Sequence, residues 1–283
     1  MSNENIKQTI TFLSKTETQC PVCGCKFRKE EMMTGSGRLN AGELTVELRR
    51  LYIPSKKYGE ISPLIYYIMV CPQCLFAACN SDFSEVKSQH ITALKANTND
   101  RISALKGVFP SIDFSAKRTL ISGIAAFYLA VISLDSFSKE MSPTIKGGIY
   151  CLRSAWICND LHSKYPNENY DYMANIFYRK AKFYYIKAIE GEQNGSEGMG
   201  AAKNLGPDLD KNYGYDGVLY LGAYLQYKYA PKDDEGKRKE ALADAKRIVA
   251  RIFGMGKASK NKPAAILDNA KALYEKISNE LKT

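Results

Sequence analysis

The sequence predicts an α+β protein in which a small β module is followed by an all-helical region. Two Cys-Pro-x-Cys turns, at residues 20–23 and 71–74, lie in the first third of the 283-residue chain. From Ser84 onward the apolar residues recur with a helical period instead of alternating. The composition, with 45% hydrophobic and 25% charged residues, is typical of folded domains. We therefore divide the chain into residues 1–83 and 84–283.

The two turns contribute four matched cysteines, which are Cys20, Cys23, Cys71 and Cys74. A Cys-Pro-x-Cys turn directs two thiolates at one ion, and two such turns complete a tetrahedral Cys₄ set that suits zinc. Because a closed Cys₄ site leaves no open coordination position, we predict a structural Zn²⁺ and a zinc-ribbon-like module. The alternative is that these residues are reduced structural thiols.

The segment between the turns is long for a ribbon. It holds 47 residues, whereas a compact ribbon has about 15–20. Its last part, Leu64 to Val70, is rich in β-branched and aromatic residues and predicts a strand that leads into Cys71. Cys25 and Cys79 stand beside the turns, where packing is the simpler role and metal ligation is the alternative.

The cysteine content and the N-terminus also predict the compartment. The first residues are polar and lack the cationic and then apolar order of a signal peptide. In a reducing compartment, cysteines serve as thiols or metal ligands rather than in disulfides, so we expect a cytoplasmic location. The most apolar stretch, Thr119 to Leu134, is shorter than the roughly 20 residues that span a bilayer and predicts a buried helix.

The region after residue 83 predicts helices that are separated by proline and glycine. The predicted helices are 84–106, 115–138, 143–163, 169–190, 214–229, 236–253 and 263–281. Their pairing indicates a helical repeat. Val218 to Leu225 has the apolar spacing of the first tetratricopeptide (TPR) helix, and Ala241-x₃-Ala245 resembles the second. The turn between them is about seven residues longer than in a TPR unit, so we predict a TPR-like all-α array.

These motifs resemble a known bacterial family. The segments CPVCG, VCPQC and LFAACNSDF, within residues 18–83, are similar to those of the uncharacterised family called domain of unknown function 2225. The helices match more loosely, through the Leu-Arg-x-Ala-Trp run at 152–156. The resemblance implies that the four turn cysteines form a zinc ribbon, and it implies no reaction. This chain has Leu75 and Cys79 where the family pattern has a glycine and a non-thiol residue, which keeps Cys79 as an alternative ligand.

The helical region carries the features of a binding surface. The chain has 19 tyrosines and a net charge of +10, and residues 237–282 hold 12 basic and 5 acidic side chains. Tyrosine provides a large contact area with a polar tip, and basic side chains attract acidic partners. We therefore expect a non-enzymatic adaptor that binds a protein or peptide in the groove of the array. The expected contact residues are Tyr184, Tyr220, Tyr224, Lys246, Arg247 and Arg251.

Two other functions are the alternatives. The basic C-terminal helices together with the zinc ribbon would suit RNA or DNA, although residues 1–90 are nearly neutral with 11 basic and 9 acidic side chains. An enzyme would need a reactive Cys25 or Cys79, and neither His90 nor His162 has the spacing of a Cys-His pair. We expect no small-molecule substrate and no membrane partner.

Overall fold

The computed structural model describes residues 9–35, 37–253 and 263–282, which form two compact units. The first unit comprises the described residues up to Thr45 together with Arg49–Phe137. The second comprises Val46–Leu48 and the described residues from Ser138 onward. Small antiparallel strand pairs are confined to the N-terminal part of the described chain and the rest is mainly helical, which confirms the α+β prediction.

The described strands of the first unit form four two-stranded antiparallel sheets. The pairs are β1 (Thr11–Leu13) with β4 (Glu30–Met32), β2 (Thr18–Gln19) with β3 (Lys26–Phe27), β5 (Asn40–Leu44) with β6 (Arg50–Ile53), and β7 (Ile68–Val70) with β8 (Ala77–Cys79). The predicted strand over 64–70 is correct only for β7. Pro63–Tyr66 forms a 3₁₀ turn, because Pro63 presets the first helical dihedral and has no N–H to donate to a ladder.

In the described part of the first unit, four helices follow: α1 (Asn80–Ser84), α2 (Ser88–Ala96), α3 (Thr98–Val108) and α4 (Leu120–Leu134). The single helix predicted over 84–106 is therefore wrong, because the chain breaks at Asn97 between α2 and α3. The α4 helix begins with a capping box between Thr119 and Ser122 and is buried along most of its length, as predicted. Among the described residues, none of the helices is both long and apolar enough to cross a membrane.

The predicted boundary after residue 83 falls within α1, where the strands give way to helices. The compact unit nevertheless continues to Phe137. Ser133 of α4 accepts a hydrogen bond from the backbone N–H of Ala77 on β8, at 3.4 Å. This packing joins the first helices to the strands, so a separate domain over residues 1–83 stays a prediction.

Gly123 on α4 shows how closely the helix approaches its neighbours. A Cβ at this position would lie 2.6 Å from Cγ2 of Ile65 and 3.2 Å from its Cα. A methyl group therefore fits only if the backbone of the 3₁₀ turn moves.

We expect Gly123→Ala to lower the free energy of unfolding of the first unit by roughly 1–2 kcal/mol, since overpacking outweighs the better helix propensity. Gly107→Ala is the matched control on α3, because a Cβ there meets nothing within 4 Å and the change should stabilise by about 0.5–1 kcal/mol. Urea unfolding of both variants tests the prediction. Equal shifts in the same direction would contradict this account of Gly123.

The described part of the second unit contains α5 (Pro143–Lys164), α6 (Tyr170–Asn194), α7 (Gly214–Tyr229), α8 (Glu235–Ala250) and α9 (Ala264–Glu280). The five helices predicted here are confirmed. Small residues allow close approach, since a Cβ at Gly148 would lie 2.9 Å from Tyr185 and one at Gly222 would lie 2.6 Å from Ile189. The TPR-like character of the array stays a prediction.

Val46–Leu48, between β5 and β6, packs with the helices of the second unit. Leu48 is fully buried, and the carboxylate of Glu47 accepts hydrogen bonds from Trp156 Nε1 and from the Tyr178 hydroxyl at 2.8 Å. The ammonium of Lys228 lies 3.2 Å from the same carboxylate. The sequence analysis did not identify this cluster.

Candidate metal centre

The first cysteine turn is the tip of the hairpin formed by β2 and β3. The backbone N–H of Gly24 donates to the Cys20 carbonyl at 2.9 Å, and the N–H of Cys20 donates to the Cys25 carbonyl at 2.8 Å. Gly24 has a positive φ of 78°, which glycine adopts without strain. These bonds close a tight loop that directs Cys20 and Cys23 to one side.

The second turn repeats this geometry between β7 and β8. The N–H of Leu75 donates to the Cys71 carbonyl at 3.0 Å, and the N–H of Cys71 donates to the Phe76 carbonyl at 2.9 Å. Leu75 has a φ of 56°, which is the left-handed conformation that Gly24 adopts in the first turn. The glycine in the family pattern at this position is therefore explained by backbone geometry, and Leu75 keeps the same turn.

The two turns bring the four predicted cysteines together. Their sulfur atoms all lie within 4.8 Å of one another, with Cys20 Sγ 3.6 Å from Cys74 Sγ and Cys23 Sγ 3.5 Å from Cys71 Sγ. Zinc–sulfur bonds of about 2.3 Å in a tetrahedron require sulfur–sulfur edges of roughly 3.8 Å. Cys23 is exposed and the other three are buried. This cluster could hold a metal ion.

The protonation of the cluster depends on the close sulfur contacts. Hydrogen bonds from the Cys71 and Cys74 thiols lower the pKa of Cys20 to about 4, and the bond with Cys20 raises the pKa of Cys74. The buried Arg101 on α3 donates twice to the Cys74 carbonyl, from Nε at 3.2 Å and from Nη2 at 3.1 Å. A guanidinium stays charged in proteins, so Arg101 provides a cation beside thiolates that would carry net negative charge around a divalent ion.

The two neighbouring cysteines lie outside this sulfur cluster in the described chain. Cys25 Sγ is 3.7 Å from the Lys26 carbonyl, and burial raises the pKa of the Cys25 thiol. Cys79 Sγ is 3.3 Å from the Ser81 hydroxyl. The four-cysteine cluster therefore does not include Cys25 or Cys79.

The remaining cysteines and His90 are buried, whereas His162 is half-exposed. Cys151 and Cys158 are buried on α5, and burial raises the pKa of each to about 12. His90 is buried with its ring edge-on to Phe137 at 5.3 Å. His162 Nδ1 is 3.9 Å from an Asp171 carboxylate oxygen.

Of the three tyrosines expected to contact a partner, Tyr220 is buried, and Tyr184 and Tyr224 are half-buried. Tyr220 is only 2% exposed, and its hydroxyl donates to the Val46 carbonyl at 2.7 Å, so its side chain is packed inside the second unit. A Cβ at Gly147 would lie 3.2 Å from the ring of Tyr184, which shows that this ring packs on α5. The Tyr224 hydroxyl is 3.4 Å from the Lys228 ammonium. Tyr220 therefore corrects our expectation of an exposed anchor.

The three basic residues expected at the surface lie on α8 and directly after it. The ammonium of Lys246 lies 5.0 Å from the centre of the Tyr274 ring, and Arg247 forms an ion pair with Asp244. Arg251 is exposed in the 3₁₀ turn that follows α8. Of the basic residues counted over 237–282, Lys257, Lys260 and Lys262 lie outside the described residues.

The sequence analysis expected a groove in the helical array but did not identify the residues that line the groove on the second unit. It has a volume of about 1250 Å³ and is lined by one face of α6, the end of α7 and the residues that lead into α8. The sequence of α6 carried a pattern that could have indicated this groove. Basic and aromatic side chains share one face of the helix, since Lys182, Phe183 and Lys187 lie three, four and eight positions after Arg179. The long turn after α7, at Pro231 to Asp234, provides the opposite wall.

The fold and the cysteine cluster define a mainly helical protein with a four-cysteine candidate metal site near its N-terminus. The chain belongs to the DUF2225 family, described as an uncharacterized protein conserved in bacteria, whose model matches residues 13–277. It is also 43% identical over 274 residues to an uncharacterized protein of Borreliella burgdorferi, covering 96% of this chain and 98% of that protein. No solved structure matches the chain. The resemblance found from the cysteine motifs is thus confirmed over nearly the whole length.

Proposed function

We propose that this protein is a non-enzymatic adaptor in which a structural Zn²⁺ stabilises the first unit and the helical unit binds a protein or peptide partner. The observation that carries the binding role is the open groove, because it combines basic side chains with the exposed ring of Phe183. A groove with apolar anchors and complementary charge is a common way for a protein to hold an extended or helical peptide.

Zinc is supported by the chemistry of the donor set. Four thiolates in a near-tetrahedral arrangement suit zinc among common divalent metals, and the two shortest sulfur–sulfur distances are close to those that Zn²⁺ requires. When bound, the ion would crosslink two turns whose cysteines, Cys23 and Cys71, are separated by 47 residues of sequence. Arg101 would then hold the second turn through the Cys74 carbonyl and offset part of the thiolate charge.

The pairing of the basic residues favours a peptide over nucleic acid. On α8, Arg238 forms an ion pair with Glu280 at 2.8 Å and Lys239 forms one with Glu235 at 3.0 Å. Arg247 pairs with Asp244. Phosphate binding draws on many lysine and arginine side chains that are free to replace counterions. Much of the basic charge on α8 is instead compensated within the unit.

Affinity capture tests the adaptor role. We expect the tagged full-length protein to retain a specific protein from a lysate of its native cell, and this protein should remain after nuclease treatment because the contact is between proteins. Mass spectrometry of the captured fraction, with and without nuclease, measures it. Recovery of nucleic acid alone, or loss of every captured protein after nuclease, would contradict the proposal.

A further inference from the structure

We propose that the groove between α6 and the turn after α7 binds an acidic segment of another protein through alternating carboxylate and apolar side chains. This inference rests on the proposed adaptor function and specifies its ligand. The occupant is defined by two properties of the groove, its uncompensated positive charge and its exposed apolar stripe.

Part of the positive charge in the groove is not compensated by carboxylates. Within the described residues, the exposed side chains of Arg179 and Lys232 line the groove and form no ion pair. Lys182 lies one helical turn from Arg179 and donates to the Tyr229 carbonyl at 3.3 Å. Burial, and then the nearby charge of Arg179, lower the pKa of Lys182. An anionic ligand would relieve this repulsion, which is typical of binding sites rather than of structural ion pairs.

The apolar stripe runs along the same face of α6. Phe183 is 56% exposed and lines the groove together with Ile186. Tyr172 and Ile176 are also exposed and lie seven or more residues earlier on the helix, at positions that continue the stripe. Large apolar side chains that line up with basic ones on one exposed face mark an interaction surface rather than a solvated one.

The distribution of charge favours an acidic peptide over the other possible occupants. Asp233 and Asp234 form part of the groove wall. A nucleic acid carries a phosphate at every step and would place some of them against these carboxylates, whereas a peptide can put apolar residues there. A second copy of this chain carries a net charge of +10 and would be repelled.

Fluorescence anisotropy with a defined probe tests the groove. The probe is a fluorescein-labelled dodecapeptide in which pairs of glutamates alternate with leucine and phenylalanine, and the protein is the full-length, zinc-loaded chain. We expect Arg179→Glu combined with Lys232→Glu to weaken binding by about tenfold or more, because each charge reversal replaces attraction with repulsion. Phe183→Ala should weaken binding by roughly fivefold through lost apolar contact.

The matched control reverses two charges elsewhere. Lys271 and Lys276 are exposed on α9 and do not line the groove, so Lys271→Glu with Lys276→Glu should leave the affinity within about twofold. Equal weakening by both double variants would show attraction to net charge alone and overturn the proposal. So would displacement of the probe by a single-stranded oligonucleotide at lower concentration than by unlabelled peptide.

The two proposals fail in different ways. If the probe does not bind while the full-length protein still captures a partner, and Arg179→Glu with Lys232→Glu leaves that capture intact, the groove is wrong and the adaptor role stands. The opposite result is that no partner is captured, whereas the probe binds and the groove variants abolish probe binding. In that case the groove is a peptide site and the adaptor role is wrong.

Discussion

Cys74→Ala is expected to abolish stoichiometric zinc binding and to unfold much of the first unit. Metal binding to a structural Cys₄ site contributes roughly 10–16 kcal/mol of apparent free energy, which is as large as the roughly 5–15 kcal/mol stability of a whole domain. Three thiolates leave a coordination position open to water, and the hydrogen bonds from Arg101 to the backbone carbonyl of residue 74 do not replace the lost ligand. Cys20→Ala should behave in the same way.

Elemental analysis of the purified variant and hydrogen exchange resolved by segment measure this result. Exchange protection should fall in the first unit, most of all near the two turns, while α5 to α9 keep theirs. Their packing uses apolar side chains and small residues such as Gly148 rather than the ion.

Cys25→Ala is the matched control, because this thiol lies two residues from Cys23 but outside the sulfur cluster. It should retain one zinc per chain. Full zinc occupancy in Cys74→Ala, or loss of zinc in Cys25→Ala, would show that the ligand assignment is wrong.

Glu47→Ala is expected to give the largest loss of stability in the second unit, about 2–5 kcal/mol. The substitution leaves the Trp156 Nε1–H and the buried Tyr178 hydroxyl without their acceptor. It also removes the carboxylate beside Lys228. Burial lowers the pKa of Lys228, but Glu47 together with Tyr224 and Tyr229 outweighs burial and raises this pKa above the ordinary value. Because Lys228 is half exposed, water can solvate its charge, and we place most of the cost on the two buried donors.

Urea unfolding followed by tryptophan fluorescence measures this effect directly, since Trp156 is the only tryptophan in the chain. We expect a lower unfolding midpoint and a shift of the native emission. Glu47→Gln keeps an acceptor and should fall between the wild type and Glu47→Ala. Glu43→Gln, at an exposed carboxylate on β5, should change neither quantity. An unchanged midpoint and emission in Glu47→Ala would refute the role assigned to this cluster.

Helix positions in the second unit were predictable because proline and glycine punctuate them. Pro143 begins α5 and Gly195 follows α6 in the left-handed conformation, both of which are local signals. The error at Leu64 to Tyr66 arose because the apolar run looked like a strand, whereas Pro63 started a 3₁₀ turn whose residues pack against α4. Local propensity was overruled there by long-range packing.

The candidate metal site was predictable to the residue, whereas the residues around it were not. A Cys-Pro-x-Cys turn is formed by four consecutive residues, so its ligand geometry is encoded locally. Arg101 lies 27 positions after Cys74, and only packing of α3 brings its guanidinium to that carbonyl. A lone arginine in an amphipathic helix carries no signal for such a contact.

The ligands of the cysteine cluster and the helical periods follow from short-range sequence, because turns and helix faces are formed by residues within a few positions of one another. The exposure of individual side chains does not follow from short-range sequence. Tyr220 is buried because Val46 lies against it, 174 positions earlier, and Arg179 lacks an ion pair because the fold brings no described carboxylate to it. Burial and pairing depend on residues that are distant in the chain, and these long-range contacts are what place the proposed binding surface on α6.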